Sequence, residues 1–140
     1  MSAENLEVVR RLFEAVARRD RHAVLSLYHP DIEVDGTRHK WAEVMGTAEA
    51  NVHGHDELRE WSRRYYAMWE DLDDTVEELI DTDSEDVIVI VTTRGRGAAS
   101  GIEVEWKNHA GVWTVRNGKI ARIVWYSTRA EALEAAGLSE

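Results

Sequence analysis

Cysteine is absent, which removes disulfides, thiol catalysis and cysteine-ligated metal together. Proline occurs once, at Pro30, and phenylalanine once, at Phe13. No apolar run approaches the ~18 residues that suggest a membrane span. The opening residues Met1 to Leu12 are charged and amphipathic, with none of the apolar stretch of a signal peptide. A cytoplasmic setting without a membrane partner is the expectation. Positive charge is in the minority: 17 Lys and Arg stand against 27 Asp and Glu, and the net charge is −10. No basic block exceeds two consecutive residues, so no nucleic-acid partner is expected.

What is present fits one globular domain over residues 1–140, with 44% hydrophobic and 31% charged residues. Six tryptophans and four tyrosines are the unusual feature. Rings of this kind fill cores, and they are enriched in pockets and interfaces.

Leu6, Val9, Phe13 and Val16 recur at helical spacing, predicting a helix over 4–18. Asp20 is placed to cap a second short helix through Leu27, with Pro30 stopping it. Ile32 and Val34 alternate with Asp31, Glu33 and Asp35, a short strand. Residues 36–54 read as irregular, with one short strand or turn. A helix is predicted over 56–70, with Leu58, Trp61, Tyr65, Met68 and Trp69 on one side. The period then becomes two: strands are predicted at 75–81, 86–94, 102–116 and 120–127, with Asn117-Gly118 as a hairpin turn. Apolar residues change parity along 102–116, and a bulge or bend near Lys107–Gly111 would resolve this. Thr128 and Glu131 match a capping box, and Gly137 ends a last short helix. Helices followed by an antiparallel meander give an α+β fold.

The chemistry-bearing residues are few. His53 and His55 offer two imidazoles but lack the further donors a metal needs, so no metal is expected. Asp31, Glu33 and Asp35 could serve as bases, or simply form a solvated strand face. His109 lies mid-strand near the expected bend, as an acid–base group within a cavity or as a satisfied core histidine. The helical row of Trp61, Tyr65 and Trp69 is core, unless that helix roofs a cavity.

Val9-Arg10-Arg11-Leu12-Phe13-Glu14-Ala15 followed by Tyr28-His29-Pro30-Asp31-Ile32-Glu33-Val34 resembles the NTF2-like superfamily, most closely its SnoaL-like, polyketide-cyclase-like branch. So do Gly54-His55-Asp56-Glu57-Leu58-Arg59-Glu60-Trp61, the hairpin from Val112 to Ile120, and Tyr126 with Arg129-Ala130-Glu131-Ala132-Leu133. The resemblance implies a cone: a curved, mostly antiparallel sheet wrapped around helices, an apolar pocket between them, and a homodimer through the outer sheet face. It implies no single chemistry, because this superfamily hosts isomerases, dehydratases, hydrolases, cyclases and plain binders. Set against its ketosteroid isomerases, the oxyanion tyrosine falls at Leu12, the base at Gly36 beside Asp35, and the protonated aspartic acid near Gly111. The Tyr-x-Asp of many SnoaL-like proteins reads Tyr126-Ser127-Thr128 here.

The expectation is therefore a pocket protein that binds or transforms a small apolar organic molecule, without cofactor, by isomerase, cyclase or dehydratase-type acid–base chemistry. The alternative is a non-catalytic ligand-binding or dimerisation module. The catalytic candidates are His109, Tyr126 and Asp35. The pocket-lining candidates are Phe13, Tyr28, His53, Trp61, Tyr65, Trp69 and Trp113. The strands at 86–94 and 119–127 are apolar on both parities, which also points to a homodimer.

Overall fold

The structure, a computed structural model, describes residues 2–40 and 51–138. Helix α1 spans Ser2–Ala17 and α2 spans Arg21–Leu27, with Asp20 Oδ1 accepting the Ala23 N–H at 3.1 Å. The helix ends at Leu27 before the proline can stop it, since strand β1 already starts at Tyr28 and runs to Asp35. The expected short strand within the irregular segment is β2, Asn51–His53. The remainder of that segment from Trp41 to residue 50 lies outside the described residues.

Helix α3 covers Gly54–Ala67, and strand β3 then takes Trp69–Asp81. Here the helical reading of 56–70 ran too far. Met68 is the cap and is 44% exposed, and Trp69 belongs to the strand. Strands β4 (Asp86–Gly97), β5 (Glu103–Arg116) and β6 (Lys119–Tyr126) complete a six-stranded sheet in the order β2-β1-β6-β5-β4-β3. Among the described residues only β1 with β6 is parallel; the other neighbours are antiparallel.

One irregularity settles the parity of β5. Opposite β4 the register shifts between the pairs Val91–His109 and Thr93–Trp106, a bulge at Lys107–Asn108 where Asn108 takes a φ of 53°. Trp106, which opposes Thr93, and the odd-numbered His109, Trp113 and Val115 can thus share the inner face, while Val112 points outward. The further shift opposite β6, at Thr114–Val115, has its extra residue, Ala121, on β6 and leaves the alternation of β5 unchanged.

The sheet has two unlike faces. On the inner face Val87, Val89, Val91, Trp113, Val115, Ile120 and Ile123 pack against Val8, Val9 and Leu12 of α1. On the outer face Ile88, Ile90 and Ala110 are buried by Ala132 and Leu133 of helix α4, Arg129–Ala135. The alternation that suggested a partner chain is therefore covered, over this stretch, by the chain's own C-terminal helix.

That helix is fixed at both ends. The Thr128 hydroxyl accepts the Glu131 N–H at 3.2 Å, the expected cap. The reciprocal half differs from expectation: the hydroxyl itself donates to Glu131 Oε1 at 3.0 Å. At the far end Gly137 takes a φ of 77°, its N–H bonds the Glu134 carbonyl and that of Leu138 bonds the Leu133 carbonyl, a Schellman pair.

Candidate functional site

His109 occupies the inner face, 4% exposed, directly opposite Val91 on β4. It lies in a run of aromatic rings. Phe13 tilts against Trp113 at 5.3 Å between centroids, Trp113 meets Trp125 edge to face at 5.9 Å, and Trp125 stacks on His109 at 5.3 Å. His39, also 4% exposed, stands edge-on to His109 at 5.2 Å. Gly111 is what lets the indoles close in. A Cβ there would lie 2.6 Å from Trp113 Nε1 and 3.1 Å from a Trp125 ring carbon.

The Thr93 hydroxyl donates to Asp74 Oδ1 at 2.6 Å and lies 2.7 Å from His109 Nε2. His109 Nδ1 is buried and has no hydrogen-bond partner among the described residues. Burial pushes the His109 pKa down to about 4, with the nearby His39 acting in the same direction. His39 is lowered too, chiefly by burial, against an opposing pull from Glu131. Asp74 is exposed as a residue, yet its carboxyl is crowded on the protein side. That desolvation raises its pKa, opposed by the Thr93 hydrogen bond and aided by Asp73. Tyr65 is raised by burial, and the Asp74 charge adds to it.

The other expected site residues fall in several places. Phe13 and Trp113 belong to the ring run that reaches His109. Trp61 and Tyr65 stack on each other along α3 at 5.1 Å, with Tyr65 in the field of Asp74. Burial raises the Tyr28 hydroxyl, and Tyr66 adds to this, while the Tyr28 carbonyl lies 3.1 Å from His55 Nε2. Trp69 sits at the start of β3 against Trp106, 5.4 Å away, rather than on the helix with Trp61 and Tyr65. His53 is exposed at the start of α3, where its N–H bonds Glu57 Oε1 at 3.0 Å.

The three catalytic candidates are not brought together. Tyr126 opposes Ala110 and packs in the outer cluster, on the face away from His109. Asp35 follows the inward Val34, which pairs with Ile123, and so turns the other way. Its Oδ1 is taken up by the Thr37 N–H at 2.9 Å and the Thr37 hydroxyl, a local turn. Reading the sequence alone missed Asp74, Thr93, His39 and Trp125. The pairing of His109 with Thr93 depends on the β5 bulge, and no spacing in the chain announces it.

A groove of about 580 Å³ opens on the outer face, bounded by Glu78, Ile90, Lys107, Asn108, Thr128 and Arg129. It lies across the sheet from His109, and the Arg129–Glu78 ion pair at 3.1 Å sits on its wall. The described residues contain no cluster of His, Cys, Asp and Glu suited to a metal, and no described helix is long and apolar enough to cross a membrane.

The family model of the SnoaL-like domain matches residues 9–123. The chain belongs to the SnoaL-like family, within the NTF2-like proteins. None of the curated proteins matches it. Among solved structures, an NTF2-like protein of unknown function from Burkholderia pseudomallei is 25% identical, with a TM-score of 0.76 over 96% of this chain and 97% of that one. TerC, co-crystallised with polyporic acid, is 20% identical, with a TM-score of 0.74 over 96% and 98%. Rv0760c from Mycobacterium tuberculosis, in complex with estradiol-17beta-hemisuccinate, is 17% identical, with a TM-score of 0.69 over 88% and 92%.

Proposed function

We propose that this chain holds a small, largely apolar organic molecule inside the cone and acts on it by cofactor-free acid–base chemistry, with His109 as the base. The observation that carries this reading is the buried His109 ring, whose Nδ1 has no partner among the described residues. A buried polar atom of this kind costs free energy unless something bonds it. A ligand hydroxyl or an acidic C–H is the kind of group it would meet. The flanking Trp125 and Trp113 supply apolar walls. TerC and Rv0760c, which share the fold, were solved with polyporic acid and with estradiol-17beta-hemisuccinate, respectively. Isomerisation, aldol-type cyclisation and dehydration can each begin with proton removal of this kind.

A second reading is a binding module without turnover. It is favoured by the separation of Tyr126 and Asp35 from His109, which leaves the ring without the partners expected of it. Association as a homodimer belongs to the same proposal, with the part of the outer face beyond α4 as its surface.

The test uses estradiol-17β-hemisuccinate and polyporic acid as binding probes, followed by tryptophan fluorescence, and 2-tetralone in D₂O as a proton-transfer probe. Binding that weakens about tenfold in His109→Gln, the loss of about one hydrogen bond, supports the interior site. Deuterium entering 2-tetralone in the native chain and not in His109→Gln supports catalysis. Binding without exchange favours the module, and binding indifferent to His109 overturns the site.

A further inference from the structure

Asp74, Thr93 and His109 stand on three neighbouring strands, β3, β4 and β5. Asp74 and Thr93 oppose each other across one strand pair. Val91, two residues before Thr93, opposes His109 across the next. The bulge at Lys107–Asn108 brings the imidazole and the hydroxyl within 2.7 Å. A threonine hydroxyl has one proton to donate. Since it goes to Asp74 Oδ1, Nε2 of His109 must be the donor to Thr93. The lone pair of the neutral ring then lies on Nδ1, the atom without a partner among the described residues. Thr93 is 2% exposed whereas Asp74 is exposed as a residue, with its carboxyl crowded on the protein side, so the chain of hydrogen bonds leads from the buried ring to the outermost strand of the sheet.

We propose that Thr93 and Asp74 form a proton relay for His109, in which a proton taken up at Nδ1 is matched by one leaving Nε2 for Thr93 Oγ1 and by the Thr93 proton moving to Asp74 Oδ1. The inference rests on His109 being the interior base. An N–H bond forms at Nδ1 and one breaks at Nε2. An O–H bond forms and another breaks at Thr93, and an O–H bond forms at Asp74. The electron pair of the broken bond stays on the bound molecule, which becomes an anion. The ring ends neutral with its N–H on Nδ1, facing that anion as a hydrogen-bond donor. No imidazolium has to persist in a buried place, and Asp74 can return its proton to water.

The surroundings suit this direction. Burial disfavours the charged ring, and crowding favours the protonated carboxyl of Asp74, which brings the two proton affinities toward one another. The titratable groups facing the relay are His39 beside the ring, Asp73 next to Asp74, Tyr65 and Tyr66 of α3 toward Asp74, and Glu131 acting on His39. Thr93 and Asp74 are positioning residues, since neither touches the bound molecule.

The experiment is NMR on the full chain, using two-bond ¹H–¹⁵N correlations for the histidine tautomers and the Asp74 carboxyl ¹³C shift. At pH 7 His109 should carry its proton on Nε2. On acidification the His109 tautomer should pass to Nδ1–H and the Asp74 carboxyl should protonate with one shared midpoint. Thr93→Val should uncouple the two titrations, and Thr93→Ser should restore the coupling. Asp74→Asn should keep Nε2–H at pH 7 but lose the passage to Nδ1–H in acid. His39, resolved in the same spectra, serves as the internal control. An Nδ1–H tautomer at pH 7, or coupling that survives in Thr93→Val, overturns the relay. None of these readouts needs a ligand, so they fail or succeed separately from the binding and exchange tests above.

Discussion

Val87, Val89 and Val91 alternate with Ile88 and Ile90 along a single strand, yet the two rows end in different surroundings. The outer row is sealed by α4 with aliphatic side chains and a capped, glycine-ended helix. The inner row shares its face with α1, an aromatic run, and one hydrogen-bonded polar thread through Thr93 to Asp74. Both faces bury apolar area. Only the inner one also buries an imidazole with an unmatched nitrogen, which no requirement of stability explains. A face built for stability alone would resemble the outer one.

The largest expected effect breaks the inner face. Trp113→Ala removes a 3% exposed indole at the centre of the ring run and should cost about 3–5 kcal/mol by denaturant unfolding. Leu133→Ala on the outer face should cost about 2–5 kcal/mol. The comparison lies in a second readout: only Trp113→Ala should shift the His109 ring resonances.

The next effect depends on pH. His109 has a folded pKa of about 4 against an ordinary 6.5, so the unfolded chain takes up this proton first as pH falls. Its contribution is fully present above pH 6.5 and is lost on the way down to about pH 4, amounting to at most about 3 kcal/mol. Urea midpoints for the native chain should fall across that window, and His109→Gln should flatten the fall. A native profile no steeper than that of the variant would contradict the burial of an uncharged ring.

Gly111→Ala follows. Its Cβ must displace the Trp113 and Trp125 indoles, an overpacking expected to cost about 1–3 kcal/mol and to move the His109 resonances as well. The smallest effect belongs to the outer face. Thr128→Ala should cost about 1 kcal/mol through loss of the α4 cap, Thr128→Asp should be close to neutral, and neither should move His109.

The capping of α4, the hairpin at Asn117-Gly118 and the need for a bulge before Gly111 were legible because each depends on residues close in sequence. The inward placement of His109 was legible for the same reason, by parity with Trp113. Trp69 was misplaced because aromatic spacing continued the helix past Ala67, and periodicity alone cannot separate the last turn of a helix from the first residues of a twisted strand. Tyr126 packs in the outer cluster, whereas Trp125, its neighbour, is the residue that turns inward, and the local sequence does not tell the two apart. Asp74 sits in an acidic run that reads as a solvated strand, and Thr93 has no motif at all. Their roles arise from pairing across three strands, which one-dimensional spacing does not encode.

The account turns on which face meets a small molecule. The direct measurement is a titration of the uniformly ¹³C,¹⁵N-labelled chain with polyporic acid, following His109 and Trp125 on one face and Tyr126 and Asn108 on the other. The account predicts saturable shifts at His109 and Trp125, with Tyr126 and Asn108 unmoved. Saturable shifts at Tyr126 and Asn108 with His109 unmoved would place the ligand in the outer groove and contradict it.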